Sequence, residues 1–304
     1  MDDLYQILDP RFARLINPMA KLDRLAAGGR WTEGPVYFPA GRYLLWSDVA
    51  GDRVLRWDET DGSVSTFRSP SAIANGNAID RQGRLLTCEH ETRRVSRTGH
   101  DGAITTVADR WNGMRLNSPN DVVVKSDDSV WFTDPGYGIA DDYLGRRAER
   151  EIDGDFVFFV DRSGSITMVA DDFVRPNGLA FSPDERRLYV VDSGRTVSSE
   201  YPAHIRVFSV GDDNRLSGGA VFAECGAGVF DGLCVDENGH LWVSSAEGVH
   251  CYEPGGTLIG KILVPEVVSN CAFGGRHRNR LFITATTSLY AVYLLTNGVD
   301  PTGH

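Results

Sequence analysis

The chain has 304 residues and a formal net charge of −11 at pH 7. This length is enough for one large domain or two small domains with a buried core, and the acidic excess argues against a nucleic acid as partner. Hydrophobic residues make up 41% and charged residues 24% of the chain, a composition that excludes disordered and fibrous proteins.

The sequence carries no sign of a membrane segment or of a disulfide framework. No apolar run approaches the roughly 18 residues of a membrane-spanning helix, and the N-terminus is acidic where a secretory signal would be basic. We therefore expect a cytoplasmic protein without a membrane partner. The five cysteines are an odd number and include no CxxC pair, so we expect them to be small core residues.

A short repeat begins after the first thirty residues and runs to the end of the chain. It is an apolar strand that ends in small polar or acidic residues, and it occurs at residues 44–48, 85–89, 130–134, 188–192, 241–245 and 281–285. The first positions of the copies are 41, 45, 58, 53 and 40 residues apart. One four-stranded propeller blade requires about 40 to 50 residues.

The segments between the copies favour the same architecture. Turn residues precede each copy, and a further β-rich stretch follows it, with almost no helical periodicity. A pair of β-sandwiches is the alternative, but the repeat crosses the midpoint of the chain without a linker. The sequence thus predicts an all-β, single-domain, six-bladed β-propeller over residues 31–304. Residues 1–30 are predicted to be an extension whose stretch 21–25 closes the ring against the last blade.

The two wide spacings predict insertions in the loops of the third and fourth blades. One lies between Asp134 and Phe156, and the other spans Ser193 to Ala203. Long loops in a compact domain are often functional, so a rim or lid beside a pocket is one interpretation. The charge runs within them are also typical of a plain solvated face.

A polar residue lies ten or eleven positions before each repeat, where the preceding strand begins. We call these six residues the axial ring: Glu33, Asn75, Asn120, Asn177, Asp231 and Asn270. The innermost strands of a propeller surround a central channel. We therefore expect the axial ring to converge at one mouth of that channel.

The chemistry of the axial ring indicates a divalent metal ion. Glu33 and Asp231 repel each other when buried together unless a cation compensates them, and carboxylate and amide oxygens suit calcium, magnesium or manganese. We expect Asp231 and Glu33 to be the main ligands, followed by Asn177 and Asn120. The alternative is that the Asn-Gly and Asp-Gly pairs are only turn dipeptides, although a turn does not call for glutamate.

Five long motifs resemble one known family. The sequence is similar to the gluconolactonase, regucalcin and senescence marker protein family of six-bladed propellers, and most of all to its bacterial gluconolactonases. The resemblance extends from Trp31 to Thr287, and the motifs occur at residues 31–36, 88–95, 116–123, 131–138 and 175–181.

The resemblance implies a site and an activity. It implies one divalent ion at the channel mouth, held by the residues that match Glu33, Asn177 and Asp231, with Asn120 close by. It also implies hydrolysis of sugar lactones, with Asp231 as the acid/base. Animal members carry a sugar-holding arginine two residues before the position of Asn120, where this chain has Ser118, so the substrate contacts do not transfer as a whole.

A mechanism consistent with these residues has the ion polarise the lactone carbonyl while Asp231 takes the proton of the attacking water. Polar residues near the ends of the repeats are candidates for holding the substrate. They are Asn75, His90, Ser118, Asn120, Asp134 and Tyr137. Structural roles are open for several of them, since His90 is equally compatible with a satisfied core histidine and Asp134 with a turn.

Other functional classes are weaker interpretations of the sequence. No GxSxG elbow, nucleotide-binding glycine loop or HExxH pair is present. The alternatives are an organophosphate or aryl ester hydrolase of the same propeller type and a non-enzymatic calcium-binding propeller. We expect glucono-1,5-lactone as substrate, Ca²⁺ as the ion with Zn²⁺, Mn²⁺ or Mg²⁺ as options, and a monomer or weak homodimer.

Overall fold

The structure, a computed structural model, describes residues 4–300. These residues form six antiparallel sheets of four or five strands and one two-stranded ribbon. The innermost strand of each large sheet packs on that of the next, and the innermost strand of the last packs on that of the first. The prediction of an all-β, single-domain, six-bladed propeller is therefore confirmed.

The strands follow the blades in chain order. Before the first blade lie β1 (Tyr5–Ile7), a 3-10 turn (Phe12–Arg14) and β2 (Asp23–Ala26). Blade 1 contains β3 (Thr32–Phe38), β4 (Tyr43–Asp48), β5 (Arg53–Asp58) and β6 (Val64–Arg68). Blade 2 contains β7 (Ala74–Ile79), β8 (Leu85–Glu89), β9 (Arg94–Thr98) and β10 (Ile104–Ala108), and a ribbon of β11 (Arg110–Trp111) and β12 (Met114–Arg115) follows it.

The second half of the chain repeats this arrangement. Blade 3 contains β13 (Val122–Val124), β14 (Val130–Asp134), the helix α1 (Tyr137–Ala140), β15 (Asp155–Val160) and β16 (Ile166–Phe173). Blade 4 contains β17 (Pro176–Phe181), β18 (Arg187–Asp192), a 3-10 turn (Gly194–Thr196), β19 (His204–Val210) and β20 (Leu216–Glu224). Blade 5 contains β21 (Leu233–Val235), β22 (Leu241–Ser245), β23 (Gly248–Tyr252) and β24 (Leu258–Leu263), and blade 6 contains β25 (Val268–Gly274), β26 (Arg280–Ala285) and β27 (Ser288–Tyr293).

The two ends of the chain meet in the last two blades. Strand β2 pairs antiparallel with β27, with Asp23 opposite Ala291, and becomes the outermost strand of blade 6. Strand β1 adds to β24, with Tyr5 opposite Ile262. Blade 6 is thus completed by a strand from before the first blade. The domain boundary after residue 30 stays a prediction, and residues 301–304 lie outside the described part.

The core lies between the blades. The second strand of each blade, where the repeat occurs, supplies large buried side chains such as Trp131 and Trp242. The Trp131 ring stacks on Phe159 of its own blade at 4.9 Å between centroids and meets Phe181 of the next blade edge-on at 5.3 Å. Each blade therefore shares its apolar surface with its neighbours, which fixes the inner strands around the axis.

Phe12 shows how the N-terminal segment contributes to this core. Its side chain is 0% exposed and lies against Gly260 and the ring of Trp242. We expect Phe12→Ala to lower the free energy of unfolding by about 3–5 kcal/mol, as is typical of buried aromatic truncations, in denaturant titrations. Met19→Ala is the control because Met19 is 89% exposed. Equal stability of the two variants would show that residues 1–30 are not part of the folded unit.

All five cysteines are unpaired and four of them are buried, which agrees with the prediction that they are core residues. Within residues 4–300, no helix has the length and apolarity needed to cross a membrane. Asp2 and Asp3, the acidic residues on which the expectation of a missing secretory signal rested, lie outside the described part. The cytoplasmic location and the monomeric or weakly dimeric state stay predictions.

Candidate active site

The axial ring lies where the innermost strands begin, and most of its members lie at β-bulges. Pairing with the second strand slips between Glu33 and Val36 in β3, and corresponding slips occur at the starts of β7, β17 and β25. A bulge leaves a residue unpaired and redirects its side chain. The polar-glycine pairs within these strands are therefore bulged strand entries, and the alternative of simple turn dipeptides is wrong for them.

Glycine follows four ring residues because neighbouring blades approach closely there. A Cβ atom on Gly178 would collide with the carbonyl oxygen of Asp231, to which the Gly178 N–H donates over 3.1 Å. A Cβ atom on Gly232 would collide with the side chain of Asn270. The absence of a side chain at these positions lets the backbones of successive blades bond directly around the axis.

Three carboxylates lie close together at this level, two of them buried and one, that of Asp231, partly exposed. They are Glu33, Asp231 and Asp121. Burial raises the pKa of Glu33 well above its usual value, and the charges of Asp231 and Asp121 raise it further. Burial, with the charge of Asp121, raises the pKa of Asp231 to about 7, and burial raises the pKa of Asp121 to about 7.

Asp121 is a residue that the sequence reasoning missed. Asn270 joins it to the ring, since its Nδ2 donates to Glu33 Oε2 over 3.2 Å and to Asp121 Oδ2 over 3.4 Å. Within residues 4–300, no lysine or arginine contributes to the pKa of Asp121 or Asp231. The sequence signal was available, because Asn120 is followed by Asp where four other ring residues are followed by Gly.

The hydrogen bonds of the ring leave ligand atoms free. Glu33 Oε2 accepts from the N–H of Gly34 at 2.9 Å and from Asn270, whereas Oε1 has no hydrogen-bond partner among the described residues. Asn177 Nδ2 donates to Ser193 Oγ over 3.1 Å, and that hydroxyl donates to the Phe230 carbonyl over 2.6 Å. This network fixes the nitrogen side of the Asn177 amide and leaves its oxygen for a cation.

Asn120 is held through its backbone. Its N–H donates to the Thr133 carbonyl over 2.8 Å, and its own carbonyl accepts from the N–H of Gly76 over 2.9 Å. In the part of the chain that the structure describes, no hydrogen bond engages its side chain. The amide of Asn120 is therefore positioned by two neighbouring strands and available to a ligand.

These donors fit a hard divalent cation. Among residues 4–300, no three histidine, cysteine, aspartate or glutamate side chains form a metal site by themselves, so the amide oxygens of Asn177 and Asn120 are needed to complete the set with Glu33 and Asp231. An all-oxygen set of this kind suits Ca²⁺, Mg²⁺ or Mn²⁺ better than Zn²⁺, which favours nitrogen and sulfur. The buried, uncompensated carboxylates are the observation that a cation explains.

His90 and Asn75 form a buried pair beside the ring. His90 Nδ1 lies 2.6 Å from the Leu144 carbonyl, which can only accept, so Nδ1 carries the proton and Nε2 accepts from Asn75 Nδ2 at 3.1 Å. Both ring nitrogens of His90 are thus occupied by the protein. The Oδ1 atom of Asn75 is buried and without a partner in the described structure, so Asn75 offers the unused acceptor of this pair.

Tyr137 lies at the mouth where the two insertions meet. It begins α1 in the first insertion, and its hydroxyl is 3.0 Å from Thr196 Oγ1 in the second. The guanidinium of Arg175 is 5.5 Å from the centre of its ring, and the charge of Asp231 contributes to its raised pKa, after burial. Both insertions therefore form the rim beside Asp231, as one of the two interpretations of the sequence proposed.

Ser118 and Asp134 lie behind the mouth. Both are 0% exposed. Asp134 accepts the backbone N–H groups of Asn117 and Ser118, each at 2.8 Å, while the Ser118 hydroxyl donates to the Pro135 carbonyl at 2.6 Å and accepts from the Gly138 N–H at 2.8 Å. These contacts position the segment before Asn120 and the start of α1, and they leave neither side chain a surface for a substrate.

The buried state of His90 predicts a pH dependence of stability. Burial lowers its pKa from 6.5 to about 4, so the folded state binds this proton less readily than the unfolded state. The contribution of the neutral His90 to the free energy of unfolding is fully present above pH 6.5 and is lost as the pH falls towards 4. The loss amounts to about 3 kcal/mol.

His90→Gln is expected to reduce this acid-induced loss, because glutamine offers an amide to Asn75 and Leu144 but does not titrate. The measurement is the free energy of unfolding from denaturant titrations at several pH values between 4 and 8. His277→Gln, at an exposed site, is the control and is expected to follow the parent protein. If the stability of the His90 variant depended on pH as that of the parent protein does, His90 would not be the group that causes the acid-induced loss.

Comparisons with known proteins show which family the chain resembles. The family model described as "SMP-30/Gluconolactonase/LRE-like region" matches residues 31–287. The gluconolactonase of Zymomonas mobilis is 30% identical over 95% of this chain and 85% of its own length. The pentonolactonase XacC of Haloferax volcanii is 29% identical over 84% of this chain and 81% of its own length.

Solved structures give the same result. A gluconolactonase from Xanthomonas campestris superposes with a TM-score of 0.90 at 39% identity, covering 96% of this chain and 95% of that one. A calcium-binding regucalcin from Agrobacterium tumefaciens superposes with a TM-score of 0.75 at 20% identity, covering 92% and 96% of the two chains. The second likeness concerns the fold alone.

Proposed function

Because the chain belongs to the SMP-30/gluconolactonase/LRE-like family and is a lactone hydrolase, we propose that it opens sugar lactones in a metal-dependent reaction, with glucono-1,5-lactone as substrate and Ca²⁺ as the ion. The observation that carries the proposal is the cluster of carboxylates at the channel mouth, where no lysine or arginine among residues 4–300 contributes to the pKa of Asp121 or Asp231. Two amide oxygens beside them complete a hard ligand set.

The proposed ligands are Glu33, Asn177, Asp231 and Asn120. When bound, the ion polarises the lactone carbonyl and stabilises the negative charge that develops on its oxygen. Glu33 is anchored by the Gly34 N–H and by Asn270, and Asn177 by Ser193. The chain thus holds its ligands in place before any substrate arrives, which limits the reorganisation needed during the reaction.

Asp231 is the proposed acid/base. It is the ring carboxylate with partial exposure to the mouth, whereas Glu33 is buried. In the proposed reaction it accepts the proton of the water that attacks the carbonyl carbon, and it returns a proton to the ring oxygen when the ester C–O bond breaks. The nearby Asn177 side chain lowers its pKa against the effect of burial.

The surroundings of the ring favour a hydroxylated substrate. The unpartnered Asn75 Oδ1 can accept from a sugar hydroxyl, and the Tyr137 hydroxyl lies at the rim with Thr196. We propose contacts of Asn75, Tyr137 and Asn120 with the substrate, with His90 fixing the orientation of Asn75. An aryl ester or a phosphotriester would leave such polar groups without partners, at a cost in binding.

The substrate class is tested by comparing initial rates on three substrates at saturating Ca²⁺. Proton release is measured with glucono-1,5-lactone, phenyl acetate and a dialkyl aryl phosphate, with the spontaneous rates subtracted. We expect kcat/KM for the lactone to exceed the other two by roughly 10²-fold or more, since a site built to pair hydroxyls rejects substrates lacking them. A higher value for the aryl ester or the phosphotriester would contradict the proposed substrate.

A further inference from the structure

Two cysteines face each other across the inner ends of blades 5 and 6. Cys234 lies on β21 and Cys271 on β25, the innermost strands of these blades, and their Sγ atoms are 3.6 Å apart. Both residues are free thiols. In the part of the chain that the structure describes, they are the one pair of cysteines in sulfur–sulfur contact.

The neighbouring groups direct the two sulfurs towards each other. The Cys271 thiol donates to the Trp242 carbonyl over 3.3 Å, so its sulfur is free to accept from the Cys234 thiol. A disulfide requires a sulfur–sulfur distance of about 2.05 Å. Formation of the bond therefore requires the two sulfurs to approach each other by about 1.5 Å.

A small oxidant can reach this pair from the side opposite the metal site. Both cysteines line a cavity of about 590 Å³ in the central channel, whose other wall residues include Phe181 and Phe273. Cys234 is partly exposed there, in contrast to the other four cysteines. A molecule of the size of a hydroperoxide fits this cavity and would then lie beside the two cysteines.

We propose that Cys234 and Cys271 are an oxidative modification site, which a hydroperoxide converts into a disulfide between blades 5 and 6. The Cys234 sulfur attacks the peroxide, the O–O bond breaks, and a sulfenic acid forms with release of one water or alcohol. The Cys271 sulfur then attacks the sulfenic sulfur, and a second water leaves. The two thiols lose two protons and two electrons, and the peroxide takes up both.

The bond would act on the metal site through one residue. The Cys271 N–H donates to Asn270 Oδ1 over 2.8 Å, and the nitrogen of the same amide donates to Glu33 and Asp121. Drawing β25 towards β21 therefore moves the side chain that orients Glu33. We expect the dissociation constant for Ca²⁺ to differ between the oxidised and the reduced protein by roughly 3-fold or more, which is less than the roughly 10- to 100-fold effect of removing a partner of a metal ligand, because Asn270 is moved and not removed.

Burial raises the pKa of Cys234 well above its usual value, followed by the effects of Cys271 and nearby acidic groups. The thiolate is the reactive form, so the oxidation is expected to accelerate as the pH rises. The test is therefore carried out at pH 8 to 9, where the oxidation is expected to be faster than at neutral pH.

The test treats the reduced protein with a small excess of hydrogen peroxide and counts free thiols after denaturation. We expect two of the five thiols to disappear, the intact mass to fall by about 2 Da because two hydrogens leave, and a peptide joined through Cys234 and Cys271 to be found. Dithiothreitol is expected to reverse all three changes. The Ca²⁺ dissociation constant is then measured by calorimetry on both forms.

Cys271→Ser is the decisive variant, and Cys251→Ser is its matched control in blade 5. The first is expected to form no bond, and the second to form it like the parent; Cys234→Ala replaces the first if that variant does not fold. An increase in the mass of the protein by added oxygen without a crosslink would contradict the proposed disulfide. Loss of two thiols in Cys271→Ser would contradict it as well. An equal Ca²⁺ dissociation constant in the two forms would overturn its coupling to the metal. The crosslink itself does not depend on the proposed lactonase function, so the two can fail separately.

Discussion

Asp231→Asn is expected to lower kcat for lactone hydrolysis by roughly 10³-fold, the range typical of a lost general base. Asparagine keeps the size of the side chain and an oxygen ligand, but its amide cannot accept the proton of the attacking water. Of the two ring carboxylates, that of Asp231 is the partly exposed one, and the nearby Asn177 side chain lowers its pKa. Removing the charge therefore changes the chemistry at this position without opening a cavity.

The measurement for Asp231→Asn is proton release from glucono-1,5-lactone at Ca²⁺ concentrations that saturate each protein. Saturation is essential because the substitution also removes one anionic ligand and raises the Ca²⁺ dissociation constant. Asp213→Asn, at an exposed site, is the matched control and is expected to retain the parent kcat. Unchanged turnover with the metal bound would remove Asp231 from the chemistry and leave it as a ligand only.

Glu33→Gln is expected to make the metal-free protein more stable and to weaken its binding of Ca²⁺. In metal-free protein the buried Glu33 is repelled by Asp231 and Asp121, and its pKa is raised above the unfolded value. Such a group stabilises the fold at low pH and loses that contribution as the pH rises through its folded pKa. Replacing it with a neutral amide therefore increases the free energy of unfolding of the metal-free protein at pH 8.

The same substitution is expected to weaken Ca²⁺ binding by roughly 10²-fold or more, because an anionic oxygen ligand is lost. Denaturant titration in the presence of chelator measures the first effect, and calorimetric titration of Ca²⁺ measures the second. Glu200→Gln, at an exposed position, is the control for both. A metal-free variant less stable than the parent, or one that binds Ca²⁺ as tightly, would contradict the account of the ring.

The fold follows from the sequence because each blade repeats the same buried second strand. Trp131 and Trp242 occupy the second position of their copies of the repeat and Trp46 occupies the third, and all three are almost fully buried. An apolar run that ends in small polar residues and recurs at a regular spacing is a local property of the sequence. The number of blades could therefore be counted without knowledge of any long-range contact.

The position of the ring was predictable for the same reason, but its local geometry was not. The spacing of ten or eleven residues before each repeat placed Glu33 and Asp231 at one end of the channel, and the structure brings them together. The bulges, by contrast, depend on how far neighbouring blades approach each other. That approach is set by the closure of the whole ring, which no single blade encodes.

The roles of individual polar residues were the hardest to predict. His90 is bonded to the carbonyl of Leu144, which lies 54 residues away in the first insertion, and this contact changes a candidate sugar donor into a residue that orients Asn75. Asp121 belongs to the site because Asn270, from another blade, donates hydrogen bonds to both Asp121 and Glu33. Such contacts join loops of different blades, so sequence patterns within one blade do not reveal them.

The most direct test of the metal-dependent mechanism is the rate of proton release from glucono-1,5-lactone by chelator-stripped protein while Ca²⁺ is added in fractions of one equivalent. The protein concentration is kept well above the dissociation constant. The account predicts a rate equal to the spontaneous one at the start, a linear rise, and a break at one Ca²⁺ per chain that is missing in Glu33→Gln. Full turnover in the stripped protein, or a rate that does not respond to Ca²⁺, Mn²⁺ or Mg²⁺, would contradict it.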